Sequence, residues 1–417
     1  MALNAPSAAC QKDAPSAARE KDAAGATRRA QASTAHAPHY GDIDRLRGFA
    51  ILMVVVFHLA LLDRVTPPFM KFIARHFNLA TGVDLFFVIS GFVISTSLAP
   101  LWAAHGAAPA LPLRPAVRRF YIKRILRLWP ASAFWLFAIL AFDMVFQGTP
   151  NWPPVPQVAI KLLAGLAYVY NIQELPHAEA LGYLWSLSLE FQFYLALPLL
   201  LLWVPADRAR LALILGAYAV LLAWAPGGQN WWLLRYDGII FGILLYMIPP
   251  ERRAAGAPRG AHSPASRGVL TATLLLTMMA ATDLPFGRLD YLAVNLCGAL
   301  AVNMAITPSG GISRLGLGRV LDWAGSRSYS LFLCHVPIML AVTSLLWACG
   351  WGNPKTVSDR AWFNLGYFGL ALPAIGAAAE ATYRALERPS HRMSRRISLW
   401  RETVPPRPAL QPGSLKG

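Results

Sequence analysis

The chain has 417 residues, 56% of them hydrophobic and only 14% charged, and its mean hydropathy is +0.42. Soluble domains carry about 25% charged residues, so this composition excludes an ordinary soluble protein and fits a polytopic membrane protein. The net charge of +17 would suit a nucleic-acid binder, but the lysines and arginines crowd the ends and connections of apolar runs, and no basic, aromatic-studded soluble domain exists to carry that function.

Residues 1–40 are rich in Ala, Ser and mixed charge, with few large apolar side chains. Such a segment cannot bury a core and is expected to be a disordered cytoplasmic tail. It lacks the short apolar centre and cleavage site of a secretory signal, so the first membrane helix is expected to act as an uncleaved anchor.

That first span, about 45–63, carries Asp44, Arg47 and His58. Eleven helical steps of about 100° return to within about 20° of the start and rise about 16 Å. Arg47 and His58 therefore share one stripe, the arginine near the membrane surface and the histidine about halfway across. Polar groups at that depth are costly in lipid and mark a functional-site hypothesis, although a core histidine bonded to a carbonyl fits His58 alone equally well.

The next run opens with Gly-Val-Asp84 and continues through Ser90 and Gly91. Asp84 can cap the helix start, and it is also a candidate carboxylate to orient the His58 imidazole. Ser90 and Gly91 suit close helix contact. The segment 120–130 reads as a basic amphipathic helix ending at Pro130. It can anchor to anionic lipid, or its Arg124 and Arg127 can grip the phosphates of a cytoplasmic nucleotide-bearing donor.

The run 157–172 is short, contains Lys161 and follows Pro-rich sequence, so it is expected to dip into the membrane or lie on its outer side rather than cross it. In the run 184–204, Ser186, Glu190 and Tyr194 lie close to one helix face. Glu190 lies about two turns into an apolar helix, where a carboxylate takes up a proton or finds a cation. Further apolar runs follow at about 209–225, 231–248, 269–283, 289–306, 328–348 and 361–386. The run 328–348 holds a second intramembrane histidine, His335, suited to catalytic support or to packing. Glu387 and Arg388 close the last helix and read as structural. The basic connections 101–130 and 249–268 and the tail 390–417 all belong on the cytoplasmic side. Ten crossings with both ends cytoplasmic satisfy them. Cys10, Cys297, Cys334 and Cys349 show no C-x-x-C spacing, so neither a disulfide framework nor a metal site is expected.

The expected fold is thus all-α, a polytopic membrane bundle of about ten helices over residues 41–389. Its segments, taken in order, resemble the membrane acyltransferase 3 family. The matching pieces are Asp44-x-Leu-Arg47-Gly with His58, Gly-Val-Asp84-Leu-Phe-Phe-Val-Ile-Ser-Gly-Phe, and Arg124-x-x-Arg127 with Pro130. After these come Trp185-Ser-Leu-Ser-x-Glu190-x-Gln192-Phe-Tyr194, Ser328-Tyr-Ser-Leu-x-Leu-x-His335-x-Pro337 and Glu387-Arg-Pro389. The family's usual tandem acidic pair is Glu190-Phe191 here, and Arg45 and Cys334 replace a usual glycine and tryptophan.

The resemblance implies a multi-pass protein of the bacterial inner membrane. It further implies an O-acyltransferase that moves an acyl group, usually acetyl, from cytoplasmic acyl-CoA to a hydroxyl of a cell-envelope or secreted glycan or glycolipid. On that reading His58 is the general base, with Asp84 or Glu190 balancing it, and Arg47, Arg124 and Arg127 hold the acyl-CoA. Asp44, Ser186, Tyr194 and His335 support them. Acyl-CoA is a co-substrate rather than a bound cofactor, membrane lipid is a partner, and no nucleic acid is involved. The rival class is a transporter of a glycan or small molecule using the same polar stripe.

Overall fold

The structure is a computed structural model describing residues 41–62, 67–103, 113–149, 152, 155–172, 181–224, 234–255, 263–281, 289–306, 318–351 and 357–399. The expected disordered tail at 1–40 and the last part of the basic tail, 400–417, lie outside the described residues. Every regular element among the described residues is helical. In chain order the α-helices are α1 (Gly41–Leu62), α2 (Pro68–His76), α3 (Gly82–Ser97), α4 (Ala99–Ala103), α5 (Leu113–Val145) and α6 (Val155–Leu166). Next come α7 (Leu184–Trp203), α8 (Asp207–Trp224), α9 (Asp237–Met247), α10 (Pro250–Ala255) and α11 (Pro264–Ala280). The chain continues with α12 (Leu289–Ile306), α13 (Gly318–Ser326), α14 (Ser328–Ala348), α15 (Val357–Thr382), a π-helical turn Tyr383–Glu387, and α16 (Arg388–Leu399).

Five helical stretches among the described residues are long and apolar enough to cross a membrane: Leu79–Ser97, Arg114–Val145, Leu184–Trp203, Ser328–Ala348 and Arg360–Ser394. Shorter apolar helices occur at Val155–Leu166, Asp237–Met247 and Asp290–Ile306. At 1.5 Å per residue the 12 residues of α6 span about 18 Å, short of the roughly 30 Å of a hydrocarbon core. The outer surface is apolar: Phe134 and Phe137 on α5 are 52% and 56% exposed, and Leu365 on α15 is 64% exposed. Soluble monomers rarely show such a continuous face, whereas lipid accommodates it.

Three local expectations change. The basic segment before Pro130 and the span after it are one helix, the 33-residue α5, with Pro130 inside it. Within a bundle, neighbouring groups re-satisfy what a proline frees, so it need not end the helix. The stretch before Ser328, expected to be a connection, contains α13, and the start of the basic tail continues as α16.

Two backbone-to-backbone contacts set the packing. A Cβ at Gly48 would lie 2.3 Å from the Leu321 carbonyl oxygen, and one at Gly325 would lie 1.9 Å from that of Asp44. Only glycines allow α1 and α13 to approach this closely. The same holds for α3 and α9, where a Cβ at Gly91 would be 2.2 Å from the Ile239 oxygen. The expectation that Gly91 serves close helix contact is met. Arg45 adds a polar clasp at the first seam, bonding Asp42 and Asp322 at 2.8 Å each. Around these seams one apolar core (Val54, Leu136, Leu333, Ile375) joins α1, α5, α14 and α15. A second (Ile94, Phe120, Leu197, Ile243) joins α3, α5, α7 and α9.

Candidate active site

Five helices, α1, α3, α5, α7 and α14, enclose a cavity of about 640 Å3, its mouth included. Its polar lining includes Arg47 from α1, Ser90 from α3, Arg127 from α5, and Ser186, Glu190 and Tyr194 from α7. The helical spacing of Ser186, Glu190 and Tyr194 does bring all three to one wall. Glu190 is satisfied by hydroxyls: its Oε1 accepts from Ser90 Oγ at 2.6 Å and from Tyr194 Oη at 2.5 Å. Arg47 pairs along its own helix with Asp44 at 3.7 Å while facing the same cavity. A carboxyl group and two guanidinium groups thus share a half-enclosed space between apolar walls.

Arg127 and Arg124 diverge in role. Arg127 lines the cavity. The Arg124 guanidinium is buried, donating to Ser97 Oγ at 3.0 Å and lying 5.2 Å and 5.1 Å from the ring centroids of Phe120 and Tyr194. Arg124 therefore supports the Tyr194 wall from behind, through cation–π packing.

His58 does not line this cavity. Eleven residues of α1 carry it about 16 Å past Arg47, beyond the lining. Phe332 stands between: it lines the cavity, and its ring centroid is 5.9 Å from that of His335. Behind it the two histidines meet, ring centroids 4.9 Å apart, with His335 Nε2 3.2 Å from His58 Nδ1.

The carbonyls around the pair determine its protons, because a carbonyl oxygen only accepts. His335 Nδ1 lies 2.7 Å from the Phe332 oxygen and 3.0 Å from that of Leu331, so it carries a hydrogen. Its Nε2 is then an acceptor in the neutral ring. His58 Nδ1 lies 2.9 Å from the Val54 oxygen and faces that acceptor, so it too is a donor. Neutral His58 then has its lone pair on Nε2, which meets no partner among the described residues; this is the form a general base requires. Tyr183 braces the arrangement: its hydroxyl donates to the Leu333 oxygen at 2.8 Å, and its ring meets His335 edge-on at 5.4 Å.

Neither carboxylate expected to orient His58 does so. Asp84 is buried and forms an ion pair with Arg235, whose guanidinium lies 4.1 Å from the Tyr291 ring centroid and 3.6 Å from Asp237. A charge buried at the start of α3 needs an opposite charge, and the arginine just before α9 supplies it. Glu190 belongs to the cavity wall. The side chain that meets His58 is instead His335, which the sequence offered as catalytic support or packing. Glu387, read as structural, bonds Ser330 at the base of α14. Sequence reasoning missed Arg235, Tyr183 and Phe332. An arginine inside the apolar run 231–248 was a signal that a buried carboxylate had to face it. Tyr183 and Phe332 gave none: Tyr183 stands one residue before the run 184–204, and Phe332 is an ordinary aromatic inside the run 328–348.

The acyltransferase 3 family profile, described as an acyltransferase domain, matches residues 40–379. A putative peptidoglycan O-acetyltransferase, YrhL of Bacillus subtilis, is 27% identical over 344 residues, covering 74% of this chain and 50% of the relative. The peptidoglycan O-acetyltransferase OatA of Listeria monocytogenes is 24% identical over 385 residues, covering 84% of this chain and 55% of the relative. A putative membrane-bound transacylase, BcsY of Komagataeibacter xylinus, is 28% identical over 322 residues, covering 73% and 74%. The chain spans about half the length of the first two relatives. No solved structure matches. With a family match over most of its length, a helical bundle with an apolar outer surface and the family's polar segments gathered in its interior, the chain is a membrane protein of the acyltransferase 3 family.

Proposed function

We propose that this protein is a membrane O-acetyltransferase that takes an acetyl group from cytoplasmic acetyl-CoA and transfers it to a hydroxyl of a cell-envelope or secreted glycan. The observation that carries this reading is His58, held by Val54 and His335 with Nε2 unpartnered among the described residues, next to a cavity that presents two arginines. The relatives named as O-acetyltransferases support the acetyl group and the glycan acceptor.

In this mechanism Arg47 and Arg127 hold donor phosphates at the cavity mouth, taken as the cytoplasmic side, and the pantetheine arm enters between α7 and α14. Phe332 turns aside to admit the thioester. His58 Nε2 removes the proton from the acceptor hydroxyl as its oxygen attacks the thioester carbonyl carbon. The carbon–sulfur bond then breaks and the proton passes from His58 to the departing thiolate, giving the ester and free CoA. While His58 is an imidazolium, its Nδ1–H bond to His335 Nε2 becomes charge-assisted and strengthens.

The test is His58→Ala, assayed for CoA release and for acetyl on a glycan acceptor. Loss of general-base catalysis costs about a hundredfold or more, so transfer should fall at least that far in a protein that stays folded in the membrane. Near-normal turnover refutes the assignment. Comparing O-acetyl content of envelope and secreted glycans between deletion and wild-type cells then identifies the acceptor.

A further inference from the structure

A second cavity adjoins the end of α1 that carries His58. The nine-residue helix α2 packs against the end of α1, and about 570 Å3 of space opens between them, lined by Phe57 of α1, by Met70, Ile73 and Ala74 of α2, and by Phe77 and Asn78 beyond it, among others. Phe57 joins this groove to the site, since its ring meets His58 edge-on at 5.1 Å. His58 is partly exposed and lines neither cavity, so Phe57 is the residue that connects it to the groove.

The outer faces of α2 are divided by chemistry. Phe69 and Phe72 are 62% and 60% exposed, while Lys71, Arg75 and His76 are exposed and basic, with no acidic residue in the helix. An amphipathic helix lying in the membrane interface accounts for the two phenylalanines and the charges. It does not account for an apolar groove behind the helix. Asn78 is the polar residue of that lining, and its side-chain oxygen is already used, accepting from the Ala80 N–H at 3.0 Å.

We infer that this groove seats the hydrocarbon chain of a phosphate-bearing lipid, the carrier of the glycan acceptor, with Lys71 and Arg75 binding its phosphate. The chain would lie along Phe57, Met70 and Ile73 where α2 meets the membrane interface, and the attached sugar would reach His58 from the side away from the donor cavity. The inference rests on the reading of His58 as the base that activates the acceptor. It narrows the acceptor class to a glycan still attached to a phosphate-linked lipid.

The probe is a fluorescent prenyl phosphate titrated onto the full chain in nanodiscs of neutral lipid, with the matching prenyl alcohol as comparison. Each interfacial Lys or Arg contributes about fivefold to affinity for an anionic head. Lys71→Ala and Arg75→Ala, both exposed, should each weaken prenyl-phosphate binding about that much and leave prenyl-alcohol binding unchanged. Ala74→Trp, which fills the groove, should weaken both probes. Equal affinity of wild type for phosphate and alcohol, or phosphate binding that all three variants leave intact, overturns the inference. Binding needs no turnover, so a failure of the acyltransferase reading would instead appear as full transfer activity in His58→Ala with prenyl-phosphate binding unchanged.

Discussion

Replacing His335 tests the histidine pair directly. His335 is fully buried, and its Nε2 is the acceptor 3.2 Å from His58 Nδ1. His335→Leu removes that acceptor and leaves the Nδ1–H with the Val54 oxygen at 2.9 Å. The neutral tautomer of His58 is therefore kept, and ground-state structure changes little. What is lost is a charge-assisted bond to the imidazolium that exists only during turnover. Bonds to charged groups are worth about 1.5–3 kcal/mol, and about 1.4 kcal/mol is a factor of ten. The expected fall in kcat is about tenfold to a hundredfold. The KM for acyl-CoA should stay constant, because Arg47 and Arg127 lie on the other side of Phe332. His335→Gln can present an oxygen near the lost Nε2 and should recover part of the rate. The assay is CoA release by purified protein in nanodiscs, with folded protein measured separately. If kcat of His335→Leu stays within about twofold of wild type, or if the loss appears in donor KM, His335 does not position the base.

Arg127→Ala should raise donor KM about tenfold or more with kcat nearly unchanged, since a charged contact to phosphate is removed; an unchanged KM would take Arg127 out of donor binding. Asp84→Ala should lower the yield of folded protein, because removing one partner of a buried pair costs about 3–5 kcal/mol, while the activity of each folded molecule persists. Normal stability with lost turnover would return Asp84 to the catalytic group. Phe332→Ala should widen the passage to His58, raising the rate with butyryl-CoA relative to acetyl-CoA roughly tenfold; an unchanged ratio would show that Phe332 does not limit acyl size.

What the sequence disclosed followed helical periodicity and composition. Ser186, Glu190 and Tyr194 meet on one cavity wall because residues four apart share a helix face, and that rule needs no tertiary information. The apolar surface of α5 and α15 was likewise legible in the long runs. The relation between helices was not. Periodicity aligned His58 with Arg47 on α1 but said nothing of α14, so the partner of His58 was sought among carboxylates rather than at His335. Asp84 looked catalytic because its counter-ion, Arg235, is 151 positions away. Pro130 looked like a stop because local propensity ignores what a surrounding bundle supplies. The helix α13 escaped notice because its nine residues are too few to stand out as an apolar run, although Leu321 and Ala324 are buried.

The direction of the hydrogens in the histidine pair has a bioenergetic consequence. The chain of donors starts at His58 Nδ1, passes to His335 Nε2, and ends where His335 Nδ1–H meets the carbonyl oxygens of Leu331 and Phe332. A backbone carbonyl cannot hand a proton onward. The relay is therefore a cul-de-sac: it lets a base gain and lose charge inside the membrane without becoming a wire across it. If His58 is the base proposed above and the membrane carries a proton gradient, the chemistry needs such an insulated end, and two peptide carbonyls are placed to supply it.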